Sequence, residues 1–416
     1  MSELTKLLEG VYVEYLALSE VANFRRGSFP QPYGNSEWYD GIGAMPFVQV
    51  NDVTKNMQLV SDTKNKISKL AQPKSVFVPK NTVIVTLQGS IGRVAITQYD
   101  AYVDRTLAIF EDYKIEICNK YFAYQLSEKF NIEKETARGS TIKTITKEEF
   151  SKFKIPIPCP ENPEKSLKIQ EEIVRILDRL SEETNQLNAA LQKELVLHQK
   201  QYDFYREELF KFEGKEVEWK SLGDILKRTK GTKITAEQMK KIHKANGQVK
   251  IFAGGKTVAF FNYEDIPIKD INHEPSIIVK SRGFIEFEYY DKPFSHKSEM
   301  WSYYSNNNYL NVKFIYYFLK IHESHFQILG KRMQMPQISI PDTDKFKIPV
   351  PCPNDQKKSL QEQLRIVNLL DDLDTETKAI TKAIQKEITL RNRQYVYYRD
   401  RLLSFQSLQT EAEAIH

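Results

Sequence analysis

Cysteine is scarce: Cys118, Cys159 and Cys352 are the only three in 416 residues. That number supports no disulfide framework, and the spacing matches no metal-ligand pattern. No apolar run reaches the roughly eighteen residues of a membrane span, and no leader-like segment opens the chain. A soluble, cytoplasmic protein with no membrane partner is therefore expected. Neither sign of charge dominates, with 60 Lys+Arg against 55 Asp+Glu and a net charge of +5. So small a surplus permits a polyanionic partner without requiring one. From Val217 to Asp344 there are 19 basic and 14 acidic residues, but from Val13 to Ser151 there are 17 and 16. In the first of the two halves, at least, a binding surface must come from local placement of charge.

Catalytic patterns are missing too. Phe252-Ala253-Gly254-Gly255-Lys256-Thr257 ends like a phosphate-binding loop, yet Lys250 stands where that pattern needs glycine. No Asn-Pro-Pro-aromatic or Asp-Pro-Pro-Tyr run offers a site for methylating an amine, and no glycine-rich cofactor loop follows a strand. His322 and His325 sit one helical turn apart without a third ligand, which fits solvated helix residues better than a metal site. No cofactor and no metal is expected in this chain.

What the sequence does contain is a duplication. Lys152–Phe212 and Lys345–Phe405 align without a gap at an offset of 193 (345 − 152), and about half of the positions are identical. Each copy opens with a proline run, Lys154-Ile155-Pro156-Ile157-Pro158-Cys159-Pro160 and Lys347-Ile348-Pro349-Val350-Pro351-Cys352-Pro353. Each continues into a polar segment with an apolar seam. In the first copy the seam is Ile173, Leu177, Leu180, Thr184, Leu187, Leu191 and Leu195; in the second it is Ile366, Leu370, Leu373, Thr377, Ile380, Ile384 and Ile388. The steps alternate between four and three, as in a coiled coil. Two adjoining steps of four, ending at Leu195 and at Ile388, make a stutter common to both copies. A helix of 45–50 residues runs about 70 Å and cannot stand alone in water with a one-sided apolar stripe. Each copy is expected to bury its stripe against the other.

The remainder repeats more loosely. Val13-Glu14-Tyr15 answers Val217-Glu218-Trp219 at an offset of 204, and Lys120–Leu126 answers Lys313–Leu319 at 193. The change of offset is assigned to about eleven extra residues in the second half, around Gly231–Asn262. Short strands and glycine-marked turns predict α+β domains. The expected fold is thus α+β: two globular α/β domains separated by a pair of long antiparallel coiled-coil helices, with a pseudo-twofold internal repeat. The segments are 1–151, 152–212, 213–344 and 345–405, with a tail at 406–416.

Two diverged heads on a rod suggest a device for reading two DNA half-sites about one helical turn apart. Specificity should lie where the copies differ. Gln88 answers Arg282, Ser90 answers Phe284, and Thr86 answers Lys280; Gln suits adenine edges and Arg guanine edges. Further DNA-binding candidates are Arg25, Arg26, Arg93, Arg138, Ser140, Thr141, Lys143, Lys230, Lys233, Lys256, Lys280, Lys331, Arg332 and Gln334. Solvated surface charge explains any one of these equally well.

Taken together, the chain resembles the specificity subunits of type I restriction–modification systems. The likeness rests on the repeated Val-Glu-aromatic entries, the Lys-Ile-Pro-aliphatic-Pro runs, and long helices ending Gln201-Tyr202-Asp203-Phe204-Tyr205-Arg206 and Gln394-Tyr395-Val396-Tyr397-Tyr398-Arg399. Ala44–Val53, Gly89–Ile96 and Gly139–Lys143 add family-like wording. The resemblance implies two target-recognition domains, a noncatalytic role, and recognition of a bipartite double-stranded DNA sequence with an unread spacer. It also implies assembly with two methyltransferase (modification) subunits and with restriction/translocase subunits. S-adenosylmethionine, ATP and magnesium are then expected in those partners. A recognition module of another restriction–methylation assembly, or a coiled-coil scaffold without a DNA role, would share the architecture. Copurifying methyltransferases and sequence-dependent DNA binding separate these readings.

Overall fold

The structure, a computed structural model, describes residues 10–136, 147–255, 257–331 and 335–405. The chain divides into two compact units, Met1–Ala189 with Glu387–His416, and Ala190–Lys386. Each unit holds one globular domain, the start of one long helix and the end of the other.

In the first domain the strands are β1 (Val13–Ala17), β2 (Ala22–Arg26), β3 (Met45–Val48), β4 (Asn65–Ile67), β5 (Val76–Val78), β6 (Val83–Thr86), β7 (Val94–Ile96), β8 (Ala101–Val103), β9 (Leu107–Tyr113) and β10 (Lys154–Pro158). They form two four-stranded sheets, β2-β9-β6-β7 and β4-β3-β8-β5, plus the pair β1-β10. β6 reads Val-Ile-Val-Thr and buries every residue, the pattern of a central strand covered on both faces. Phe122 and Phe130 of α1 (Asn119–Thr136) cover one face together with Phe110, Phe150 and Phe153.

The second domain repeats this plan. Its elements are β11 (Val217–Ser221), β12 (Lys227–Arg228), β13 (Val249–Phe252), β14 (Val258–Phe261), β15 (Ser276–Lys280), β16 (Glu286–Tyr290), β17 (Phe294–His296), β18 (Trp301–Tyr304) and β19 (Lys347–Pro351). The sheets are β12-β18-β15-β16 and β14-β13-β17, with the pair β11-β19. One parallel contact marks each copy, β3 with β8 and β13 with β17. β3 to β4 takes eighteen residues from Phe47 to Asn65, whereas β13 to β14 takes eight from Ile251 to Ala259. The extra length therefore belongs to the first domain, between Phe47 and Asn65, and not to the second around Gly231–Asn262. A falling offset means that the first copy is the longer one.

The long helices are α2 (Pro163–Glu208, 46 residues) and α3 (Gln356–Ser404, 49 residues). Asn162 caps the first by accepting from the Lys165 N–H at 3.0 Å, with Pro163 at the first helical position; Asp355 does the same for Lys358 at 3.0 Å. Matching polar residues seat each domain on its helix. Gln170 Oε1 accepts the Cys118 N–H at 2.9 Å, and Gln363 Oε1 accepts the Asn311 N–H at 2.8 Å. Both glutamines are fully buried.

Within the first unit, Ile169, Ile173, Ile176 and Leu177 cluster with Leu402 and Leu403 from the far end of α3. Within the second, Phe210, just past α2, joins Ile366, Val367 and Leu370 from the start of α3. In each unit the start of one helix thus lies beside the end of the other, as antiparallel pairing requires. Ile173, Leu177, Ile366 and Leu370 are buried, but against the domains as much as against the other helix. Burial of the stripe along its whole length is not what the structure has. Leu180, Leu191, Leu195, Leu373, Ile380 and Ile388 are half-buried. Leu187 remains 37 % exposed while Ile384 is 7 % exposed. Two helices alone cover only a narrow seam and leave its flanks open.

Candidate nucleic-acid interface

Four segments converge at one end of the first domain. The Gly27 N–H donates to Leu107 O at 3.2 Å, the Ser28 N–H to Val103 O at 3.0 Å, the Leu87 N–H to Thr106 O at 2.8 Å, and the Asp104 N–H to Val48 O at 3.0 Å. The β2 exit, the β3 exit, the β6–β7 turn and the β8–β9 corner are therefore stitched together by backbone. Gly89, at φ 68°, lies against Val50 in this end. Longer in the first domain by its extra residues, the β3–β4 connection belongs to the same end.

The second domain builds its counterpart with the same stitches. The Thr232 N–H donates to His296 O at 2.8 Å, the Lys297 N–H to Phe252 O at 2.9 Å, and the Thr229 N–H to Ser302 O at 2.9 Å. Ser281 Oγ donates to Glu299 O at 3.3 Å and ties in the β15–β16 turn. A glycine is obligatory at one crossing in each copy. A Cβ on Gly27 would stand 2.1 Å from Val103 O, and one on Gly231 would stand 2.5 Å from His296 O. Arg26-Gly27-Ser28 and Lys230-Gly231-Thr232 are thus one motif, basic–glycine–hydroxyl, at the 204 offset.

Beneath the second crossing, His296 is fully buried. Its Nδ1 lies 3.0 Å from Lys297 O and its Nε2 2.8 Å from Thr229 Oγ1, so Nδ1–H donates and Nε2 accepts. Burial lowers its pKa and keeps it neutral, the form this bonding requires.

The charges sort into committed and uncommitted. Arg25 pairs with Glu111 at 2.7 Å, and Arg93 donates to Val53 O at 3.3 Å. Lys280 leaves the set of surface candidates: it is 5 % exposed and pairs with Glu288 at 2.8 Å and Glu286 at 3.1 Å. Burial alone would lower its pKa, but the two carboxylates outweigh burial and hold it raised. By contrast, Arg26 in the first domain and Lys230 and Lys233 in the second are exposed, with no carboxylate partner among the described residues, whereas exposed Arg282 adds to the attraction of Lys297 on the Glu299 carboxylate. Lys331, also exposed, follows the helices Val312–Ile321 and Glu323–Gly330 near the β15–β16 turn. Gln88 and Ser90 are half-buried at their turn, and Phe284 is 56 % exposed beside Arg282. Arg138, Ser140, Thr141, Lys143, Lys256, Arg332 and Gln334 lie outside the described residues.

Sequence reasoning passed over Arg105, exposed at the β8–β9 corner, together with Tyr33 and Asp104, which support it. The shared glycines were the available signal, since they align at the 204 offset and mark the crossing beside that corner. Among the described residues no group of three His, Cys, Asp or Glu could hold a metal ion, and no helix is long and apolar enough to cross a membrane.

Two diverged α+β heads, each with exposed cations on stitched loops, define a class of duplicated two-domain proteins. Comparison with known proteins carries this further. The model of the type I restriction modification DNA specificity domain matches twice, over residues 11–197 and 214–390. This chain belongs to that family. It is 30 % identical, over 99 % of its own length and 98 % of the relative's, to the Escherichia coli type I restriction enzyme EcoR124I/EcoR124II specificity subunit. It is 33 % identical to the Escherichia coli EcoprrI specificity subunit, over 58 % of this chain and 60 % of that one. Its fold matches a chain from a structure of type I R-M system assembly and conformational transition, with a TM-score of 0.71 at 15 % identity over 94 % and 97 % of the two chains. The HsdS subunit of Thermoanaerobacter tengcongensis matches at a TM-score of 0.57 and 16 % identity, over 95 % and 97 %.

Proposed function

We propose that this chain is the DNA-reading component of a type I restriction–modification complex. Each domain reads one half of a bipartite target through its stitched loop end, and the long helices set the unread interval. The observation that carries this is the pair of exposed, unpaired cations Arg26 and Lys230 at equivalent positions in the two domains. The neighbouring side chains differ, so the two halves of the target differ. Unpaired Arg and Lys suit phosphates and base edges, whereas paired ones do not.

The helices also supply a docking surface for two methyltransferase subunits. Leu197 and its repeat equivalent Leu390 are 55 % and 46 % exposed, with Phe204 at 58 %. Apolar residues left outward on a rod suit a helical partner. S-adenosylmethionine belongs to those methyltransferase subunits, and ATP and magnesium to restriction/translocase subunits. This chain contributes recognition and no reacting group.

The test is reconstitution with methyltransferase subunits, followed by methylation mapping on random-sequence DNA. The reading requires one split motif with a fixed gap. Methylation without sequence preference would overturn it.

A further inference from the structure

The loop end of the first domain contains one cation that is held in place without being neutralised. Arg105 sits at the corner between β8 and β9, where its guanidinium lies 5.2 Å from the centre of the Tyr33 ring. Among the described residues it has no carboxylate or hydrogen-bond partner. Its support is rigid. Asp104 is 3 % exposed, accepts from the Tyr33 hydroxyl, and accepts from the Thr106 N–H at 2.9 Å and Thr106 Oγ1 at 2.5 Å. Tyr33 also stacks on Phe29 with ring centres 5.0 Å apart. The Asp104 carboxylate is consumed by these three bonds, so it fixes the platform and leaves the guanidinium fork open.

A planar fork spread over an aromatic face keeps its edge donors directed outward. Two parallel donors match the O6 and N7 acceptors on the major-groove edge of guanine. The same fork also matches a phosphate, and the lysine variant below separates the two. The second domain has no such group at the equivalent place: Ser298 replaces Arg105, and beside it Lys297 pairs with Glu299 at 2.6 Å. One domain presents an open cation fork where the other presents a closed ion pair.

We propose that Arg105 reads a guanine in the half-site bound by the first domain, with Tyr33 and Asp104 as positioning residues. This rests on the recognition function above. The experiment maps methylation by the full chain assembled with its methyltransferase subunits, for wild type, Arg105→Gln, Arg105→Lys and Tyr33→Phe. Arg105→Gln is expected to relax one guanine position in one half-site, by about 5- to 150-fold in preference, and to leave the other half-site unchanged. Arg105→Lys is expected to restore overall binding without restoring that preference. Tyr33→Phe keeps the ring but drops the bond to Asp104, and is expected to relax the same position more weakly. An intact guanine preference in Arg105→Gln overturns the assignment alone. So does a uniform loss at all sequences that Arg105→Lys repairs, which marks a phosphate contact. A wild-type complex without any sequence preference overturns the recognition function itself. Arg105 is exposed, so an unchanged melting temperature in Arg105→Gln accompanies the expected result.

Discussion

Tyr124 donates its hydroxyl to Asp178 at 2.9 Å, and the repeat places the same bond between Tyr317 and Asp371 at 2.5 Å. A lysine joins each carboxylate, Lys120 at 2.7 Å and Lys313 at 2.7 Å. Each domain is thereby fastened to the base of its own long helix. Burial raises the pKa of both tyrosines, and their aspartates raise it further.

Cutting either fastening should loosen one domain. Asp371→Ala leaves the Tyr317 hydroxyl and the Lys313 ammonium unpaired, and is expected to cost about 2 kcal/mol. Asp178→Ala should do the same in the other unit. Urea unfolding followed by domain-specific proteolysis checks this, and equal protection of both domains in either variant would count against it. Because the folded tyrosines bind their protons more tightly than unfolded ones, stability should fall as pH rises above about 10.

At the acid end, Glu362 governs a separate window. Arg365 holds its carboxyl down to about 2, against the opposing effect of burial and with help from Lys215. A depressed carboxyl contributes stability above its unfolded pKa of 4.5 and loses it as pH falls toward 2. Solvent screening keeps this to about 1 kcal/mol. Melting curves of Glu362→Gln should show a shallower decline over that interval than wild type.

Gly27→Ala should destabilise the protein by more than about 2 kcal/mol, because backbone oxygens on the facing corner leave its Cβ nowhere to go. Gly34→Ala is the control: its Cβ meets nothing within 4 Å, and a change within about 0.5 kcal/mol is expected. Thermal unfolding of both variants decides the matter. Similar melting temperatures would show the crossing to be looser than drawn.

Exchanging Gln88 for Arg should alter preference in the first half-site and leave the second untouched, as mapped by methylation. A change in both halves, or in neither, removes Gln88 from the reading surface.

Removing Asn188–Leu191 together with Thr381–Ile384 deletes one four-residue step at the stutter in each helix and leaves a regular seam. Each helix loses about 6 Å, so the unread interval should shorten by about two base pairs at roughly 3.4 Å each. An unchanged interval in methylation mapping would falsify the helices' role as a ruler.

The duplication and both long helices were legible because local patterns define them: the proline runs and the three–four seam recur at one offset. The incomplete cover of Leu187 was not, since periodicity reports which face is apolar and not how much a single partner hides. A change of offset says that length differs but not where; strand pairing locates the extra residues between β3 and β4. At the loop ends, Arg26, Lys230 and Arg282 stood out as cations, yet nothing local separated them from Lys280. Only the cross-strand neighbours Glu286 and Glu288 do so. Arg105 looked like an ordinary turn residue because Tyr33, 72 positions earlier (105 − 33), reaches it only through tertiary folding.

The last turn of α3 also has a consequence for how the protein is made. Gln125 donates to Leu403 O at 3.0 Å, Tyr15 donates to Ser404 O at 3.2 Å, and Arg399 pairs with Glu128 at 3.0 Å. On a ribosome the second domain has every piece it needs before the last turn of α3 is made, whereas the first waits for that turn to clear the exit tunnel. The half synthesised first is the half completed last, and nascent chains that stop early leave its apolar base open to chaperones and proteases.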